Sequence, residues 1–393
     1  MASSESTSLR ILILVGSLDI GGTERHLCQV LPFLHGNTLE ITVACFHHRG
    51  LLAPEMEALG VKVLSPEFPA WVKTARMLNI LITFCWIAAI IAKQRPNIVH
   101  TFLPTAYLLG GLCATILGVP GRVMSRRSLN LYQRRHPILT RVEFWLHKKM
   151  DLLIGNSAAV VDELRQEVDT RWTRIELILN GIDTEAFNKP LPRQKVRTAL
   201  NISEDALVII LVANIIPYKG HSDLMKALAY VGHQFSSPWK LLCVGRDDGL
   251  LSDLLEKAKR FDLQNNISWL GPRHDIANLL CAADIGVLPS HEEGLSNFVL
   301  ESMAAGLPMI VTDAGGNGEL VLHGKTGLVV PKKAPNELGE AILQLANNKN
   351  QRLQMGNAAR RRQADEFSLE RCIQNYRKAY MSLGIAPCAS QRS

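Results

Sequence analysis

None of the eight cysteines (Cys28, Cys45, Cys85, Cys113, Cys243, Cys281, Cys372 and Cys388) stands in a Cys-x-x-Cys pair, and most lie inside apolar runs. Zinc spacings are thereby absent, and buried reduced thiols in a cytoplasmic protein are expected rather than a disulfide framework. There is no arginine-rich arm and no repeat interleaving aromatic with basic residues, so nucleic acid is not expected as a partner. The opening MASSESTSLR has neither the basic start nor the apolar stretch of a secretory signal and reads as a short polar tail. A bilayer span needs about 20 apolar residues. MLNILITFCWIAAIIA (Met77–Ala92) falls short of that, with Lys73, Arg76, Lys93 and Arg95 at its flanks. A helix covered by protein is expected there, ahead of an interfacial helix or a span. Charged residues are only 20% against 47% hydrophobic, an ordinary globular balance that excludes wholesale disorder. The charge that is present sums to +7 and points to phosphates or anionic lipid head groups.

With 393 residues the chain exceeds what one core sustains, so two domains are expected. Apolar strand-like runs alternate with helical stretches throughout. They are RILILV, EITVACF, VKVLS, NIVHTF, RVMS and DLLIGNS, then ALVIILVAN, WKLLCVG, NISWLG, DIGVLPS, PMIVTD and GLVVP. Continuous apolar strands separated by helices mean parallel sheets covered on both faces. The rhythm breaks at NGIDTEAFNKPLPRQKVR (Asn180–Arg197) and then restarts. The expectation is an α/β protein of two Rossmann-like, doubly wound domains, residues 1–185 and 186–366, facing a cleft where strand-end loops bind ligands. Residues 367–393 form a last amphipathic helix, with Tyr376 and Tyr380 on one stripe, and a tail.

Three stretches could carry chemistry. In HEEGLSNFVLESMAAGLP (His291–Pro308) a helix is expected to start at Ser296, an N-cap residue, and to end at Gly306. The amides of Leu295, Ser296 and Asn297 then face an anion site. Glu293 and Glu301 would repel phosphate there unless they bind hydroxyls, as of a sugar and a ribose. A solvated loop glutamate and an ordinary helix charge fit the spacing equally well. In ANIIPYKGH (Ala213–His221), Lys219 follows a buried strand and could stabilise a leaving phosphate, or be a solvated turn lysine. In GSLDIGGT (Gly16–Thr23) the spacing is that of a P-loop, with Gly22 where the lysine belongs. Gly21 and Gly22 would permit positive φ and a close backbone approach to a ligand. VGRDDG (Val244–Gly249) holds an acidic pair but reads equally well as a loop, and no metal site is assigned.

GRVMSRRSLNLYQRRHPILTRVEFWLHKKM (Gly121–Met150) carries eight Arg and Lys against Glu143 alone. It is a solvated helix face or a surface for an anionic lipid or acidic acceptor. His100, in VHTFLP, is expected at a strand end on the same edge, where a lone histidine is more often structural.

Together these residues resemble glycosyltransferase family 4, retaining enzymes of the GT-B fold, in the manner of bacterial polysaccharide-building transferases. The matches are GGTER, NGID, YKGH, the run DIANLLCAADIGVLPS, and Glu293-x₇-Glu301 within EEGLSNFVLESMAAGLPMIVTDAGGNGELV. The resemblance implies that Lys219 contacts the donor diphosphate, Glu301 the donor ribose and Glu293 the transferred sugar. Leu295, Ser296 and Asn297 would surround the phosphates, with Gly21 and Gly22 near them from the first domain. Gly245, Asn214 and Arg273 fall on the donor side. Glu24, His100, Arg126 and Arg127 fall on the acceptor side. No cofactor or obligatory metal is implied, the nucleotide-sugar being a co-substrate, and the final helix crosses back onto the first domain. Asn214 replaces the family's arginine partner of the lysine, unless Arg246 or Arg273 substitutes. A family histidine is likewise replaced around Ser125–Arg127.

The expected activity is therefore transfer of a sugar, with retention, from a UDP- or GDP-sugar to a hydroxyl of a glycan or lipid-linked acceptor in polysaccharide or glycoconjugate biosynthesis. The expected location is cytoplasmic, with peripheral contact at the inner face of an anionic membrane. The alternatives are a non-catalytic nucleotide-sugar-binding subunit and a sugar-nucleotide epimerase of the same fold.

Overall fold

The computed structural model describes residues 8–36, 38–69, 75–129, 136–168 and 171–386. The polar tail 1–7, Lys73, Cys388, and Arg134 and Arg135 of the basic segment lie outside the described residues. The chain forms two compact units, Met1–Gly181 together with Leu369–Ser393, and Ile182–Ser368. The change of unit falls a few residues from the boundaries read in the sequence.

Seven parallel strands make the sheet of the first unit: β1 (Leu9–Val15), β2 (Leu39–Cys45), β3 (Lys62–Leu64), β4 (Ile98–Phe102), β5 (Gly121–Arg126), β6 (Leu152–Gly155) and β7 (Arg174–Leu177). Their order is β3-β2-β1-β4-β5-β6-β7, with Ile11 opposite Ile98 where the winding reverses. Every residue of β4 and β6 is buried, as apolar strands covered on both faces must be. One face packs helix Gly22–Leu34 and the terminal helix Leu369–Met381, joining Val30 and Leu31 to Ile373, Tyr376 and Tyr380. The other packs helices Arg76–Gln94, Pro104–Ile116 and Pro137–His147, through Ile87, Ile91, Cys113 and Leu146. Pro104 and Pro137 occupy first-turn positions that need no amide donor.

Six parallel strands build the second unit: β8 (Leu207–Val212), β9 (Trp239–Val244), β10 (Ile267–Trp269), β11 (Ile285–Leu288), β12 (Met309–Thr312) and β13 (Gly327–Val330). The order β10-β9-β8-β11-β12-β13 again reverses at the centre, between β8 and β11, where Ile209 pairs with Ile285.

Three departures from the sequence reading have physical causes. Helix Arg76–Gln94 is covered on one side only: 17% of its Met77–Gln94 stretch is fully buried. Thr83, Ile87 and Ile91 are buried and Phe84, Trp86, Ala88 and Ile90 pack half-buried against the core, while Met77, Ile80 and Leu81 remain exposed. Strand β7, RIEL, carries no apolar run because it is an edge strand with no fully buried residue. The polar stretch after Asn180 contains a helix, Arg193–Ala199, whose buried Arg197 donates to Asp284 at 2.8 Å and to the carbonyls of Ala282 and Ala206.

Candidate active site

The reversal point between β8 and β11 is where open α/β sheets bind ligands. Here it gathers the residues singled out in the second half. Lys219 leaves β8 on a 3-10 turn, Pro217–Lys219, and Glu293 follows β11. The Lys219 ammonium donates to Glu293 Oε1 at 2.5 Å and sits 5.5 Å from the Tyr218 ring centroid. Side-chain exposures of 19% and 9% place the pair in a recess rather than on open surface. Burial pushes the Tyr218 hydroxyl above its ordinary range.

Both loops are held by backbone contacts. His291 N–H donates to Tyr218 O at 2.7 Å. Gly220 has φ +74, and a Cβ there would stand 2.0 Å from Pro289 O. Glu293 is fixed from the next loop too: Gly315, at φ +52, would bring a Cβ to 1.8 Å from Glu293 O, and Gly316 N–H donates to Gly294 O at 2.8 Å. The sequence reading placed Gly220 in the sharp turn that holds Lys219 but gave Gly315 and Gly316 no role, although both stood inside the matched run. It also missed His291, whose Nε2 meets Asp223 Oδ2 at 2.7 Å and ties the loop after β11 to helix His221–Val231.

Ser296 caps helix Asn297–Ala304, its side chain accepting from Val299 N–H at 3.4 Å. Leu295 and Ser296 are buried, while Asn297 and Glu301 are half-exposed on the same turn of chain. The site therefore combines an ammonium, two carboxylates and a helix N-terminus, which suits an anion flanked by hydroxyls. His221, beside Lys219, is buried against Trp269 and its pKa is pushed down to about 4, mainly by burial and then by the ammonium. Among the described residues no three His, Cys, Asp or Glu side chains gather as metal ligands.

Asn214 and Gly245 follow β8 and β9. Asn214 Oδ1 accepts from Arg246 N–H at 3.3 Å, and Gly245 N–H donates to Gly271 O at 2.9 Å. The two arginines that could replace the missing partner of Lys219 are both clamped by nearby carboxylates. Arg246 holds Asp248 at 2.8 and 3.2 Å, and Arg273 holds Asp275 at 2.8 and 2.7 Å. Asp247, the other acid of VGRDDG, accepts from the amides of Gly249, Leu250 and Leu251 and so caps a helix start.

In the first unit Gly21 and Gly22 open helix Gly22–Leu34, but neither adopts positive φ. Gly21 is extended, at φ −149, and a Cβ on it would meet the Glu24 carboxylate at 2.3 Å. Gly22 is exposed, with nothing within 4 Å of where its Cβ would stand. Glu24 thus folds back over the helix start, as a third-position glutamate does in a capping box.

Two residues expected on the acceptor side are interior. His100 lies within β4, not at its end, and is fully buried, bonding Tyr380 Oη and Ser125 Oγ at 2.8 Å each. Burial and then Arg127 hold its pKa at about 3. Arg126 is buried among carboxylates, bonding Glu167 at 2.7 and 2.9 Å and Glu143 at 3.1 Å. Arg122 pairs with Asp151 at 2.9 Å. The basic segment is thus partly neutralised by acids from beyond it, Asp151, Glu163 and Glu167. Arg127 donates to Asn180 Oδ1 at 2.8 Å, which gives the NGID asparagine a structural partner, and its buried Nη1 has no partner among the described residues.

The family model described as glycosyl transferases group 1 matches residues 192–362, and that described as glycosyltransferase family 4 matches residues 20–186. The Escherichia coli UDP-Gal:alpha-D-GlcNAc-diphosphoundecaprenol alpha-1,3-galactosyltransferase is 23% identical over 375 residues, 93% of this chain and 95% of that protein. The D-inositol 3-phosphate glycosyltransferase of Corynebacterium urealyticum is 29% identical over 246 residues, 60% of this chain, and the match spans 58% of that protein's length. In fold the chain is similar to Anabaena HepE, solved with UDP and glucose, at a TM-score of 0.82 and 21% identity, over 95% of this chain and 100% of that one.

Proposed function

Because the chain belongs to the family 4, group 1 glycosyltransferases, we propose that it moves a sugar from a nucleotide-sugar to a hydroxyl of a glycan or lipid-linked acceptor, with retention of configuration. The observation that carries this reading is the Lys219–Glu293 pair, 2.5 Å apart at the reversal point of the second sheet and followed directly by a helix N-terminus. A donor diphosphate would compete with Glu293 for the ammonium. Glu293, released from that contact, would then accept from hydroxyls of the transferred sugar.

The bond from the anomeric carbon to the diphosphate breaks as the acceptor hydroxyl attacks from the same face. The hydroxyl proton passes to an oxygen of the departing nucleoside diphosphate, so no protein base is required. Lys219 and the amides around Ser296 stand where negative charge grows on the leaving group, which is where fixed cations and dipoles accelerate a reaction. No metal is called for in this reading, since the ammonium already meets that charge. A uridine nucleotide is supported by HepE, solved with UDP, and by the UDP-Gal-named relative, whose name also supports a lipid-diphosphate-linked acceptor.

The test is a screen of UDP- and GDP-sugars with a membrane lipid extract, read by mass spectrometry as nucleotide released and acceptor mass gained. Lys219→Ala is expected to lower turnover about 10²–10³-fold. Release from no donor, or an unchanged Lys219→Ala, would overturn the proposal. The tethering of Arg246 and Arg273, with Asn214 at the arginine position, favours one second reading, a nucleotide-sugar binder without turnover. Calorimetric binding of a UDP-sugar with no product would select it.

A further inference from the structure

The outer surface of three neighbouring helices in the first unit is apolar and has no partner among the described residues. The Met77–Gln94 stretch has a mean hydropathy of 1.7 and is 17% buried. Met77 and Leu81 stand 78% and 58% exposed. In the same layer, Ile138 and Trp145 on helix Pro137–His147 are 75% and 45% exposed, and helix Pro104–Ile116 between them has no charged side chain. Exposed apolar residues scattered singly need no explanation, whereas this many on adjacent helices mark an interaction surface.

Charge selects the partner. Residues 76–94, 104–117 and 137–149 contain one carboxylate, Glu143, which is buried against Arg126. Lys93, Arg95, Lys148 and Lys149 are exposed at or just beyond the helix ends, Arg141 is exposed midway along helix Pro137–His147, and Lys149 Nζ lies 5.9 Å from the Trp145 ring centroid. An apolar centre with a rim of cations and an interfacial tryptophan matches a bilayer surface rich in anionic lipid. A second copy of the chain fits worse, because a two-fold contact through this face would oppose its own cations. Helix Arg76–Gln94 cannot span, since its Ile87 and Ile91 belong to the core it would have to abandon.

We propose that this three-helix face docks the protein on an anionic lipid surface, lying on the bilayer rather than crossing it. The inference is independent of the reaction proposed above. It also narrows the membrane contact of the basic segment to Arg141, Lys148 and Lys149, since Arg122 is paired with Asp151 and Arg126 is buried.

Flotation of the full chain with vesicles tests it, using phosphatidylglycerol mixed with phosphatidylcholine against phosphatidylcholine alone. The protein should partition at least about tenfold better onto the anionic vesicles, and added salt should weaken it. Leu81→Asp with Ile138→Asp should lower partitioning by about tenfold or more. Arg141→Gln, Lys148→Gln and Lys149→Gln should each lower it about fivefold. All five positions are exposed, so unchanged circular dichroism and unfolding midpoints are expected to show the variants folded. Absence of binding, indifference to lipid charge, or a double aspartate variant that floats like the parent would each overturn the proposal. So would a vesicle-free dimer that Leu81→Asp dissociates in sedimentation velocity.

Discussion

Arg126 has three carboxylates within reach, at 2.7, 3.1 and 3.6 Å, and its side chain is 4% exposed. Removing one member of a buried ionic cluster leaves the others uncompensated, which costs more than the cluster gains over an apolar replacement. Arg126→Met is expected to destabilise the first unit by about 3–5 kcal/mol, measured by urea unfolding. His100 and His221 make a pH prediction. Both are held neutral, with pKa values of about 3 and about 4 against an ordinary 6.5. The unfolded chain therefore binds more protons than the folded one as pH falls below 6.5, so their contribution is complete above 6.5 and is lost as pH drops toward 4 and 3. The unfolding free energy should fall between pH 7 and pH 5, and His100→Gln should show a shallower slope. A structural role for His100 was legible in the sequence, but the partners were not. His100 meets a tyrosine 280 positions away, and Arg126 an acid 41 positions away, so local charge counting mistook an internal cluster for a basic surface.

At the scale of elements the sequence was a better guide where burial is two-sided. Apolar runs marked every strand except β7, whose edge position asks for no such run, and Ser296 marked its helix start. Apolar character alone said nothing about which side of helix Arg76–Gln94 meets protein. The glycines separate by element in a testable way. Gly22→Ala, in a helix first turn with open space, should leave the melting temperature unchanged or raise it, since alanine is the better helix former. If the donor approaches there, activity should nonetheless fall. Gly315→Ala, whose Cβ would meet Glu293 O, should lower both, because the loop carrying Glu293 has to shift. Parallel thermal melts and nucleotide-release assays on the two variants distinguish the cases.

At the scale of the molecule, the second unit is one continuous stretch and the first is built from both ends of the chain. Residues 182–368 expressed alone should unfold cooperatively and, on the proposed donor reading, still bind UDP by calorimetry. Residues 1–181 alone should not fold stably, because Ile373, Tyr376 and Tyr380 are missing from their core, and adding a 369–393 peptide should restore it. The same division sets an order of events at the ribosome. The unit that begins second is complete in sequence first, once Ser368 has emerged. The unit that begins first waits through the whole synthesis of its neighbour, one apolar face of its sheet lacking one of the two helices that cover it. Until Leu369–Met381 arrives, the part of that face it covers is exposed to whatever the nascent chain meets, and translation speed across residues 182–368 becomes a determinant of yield.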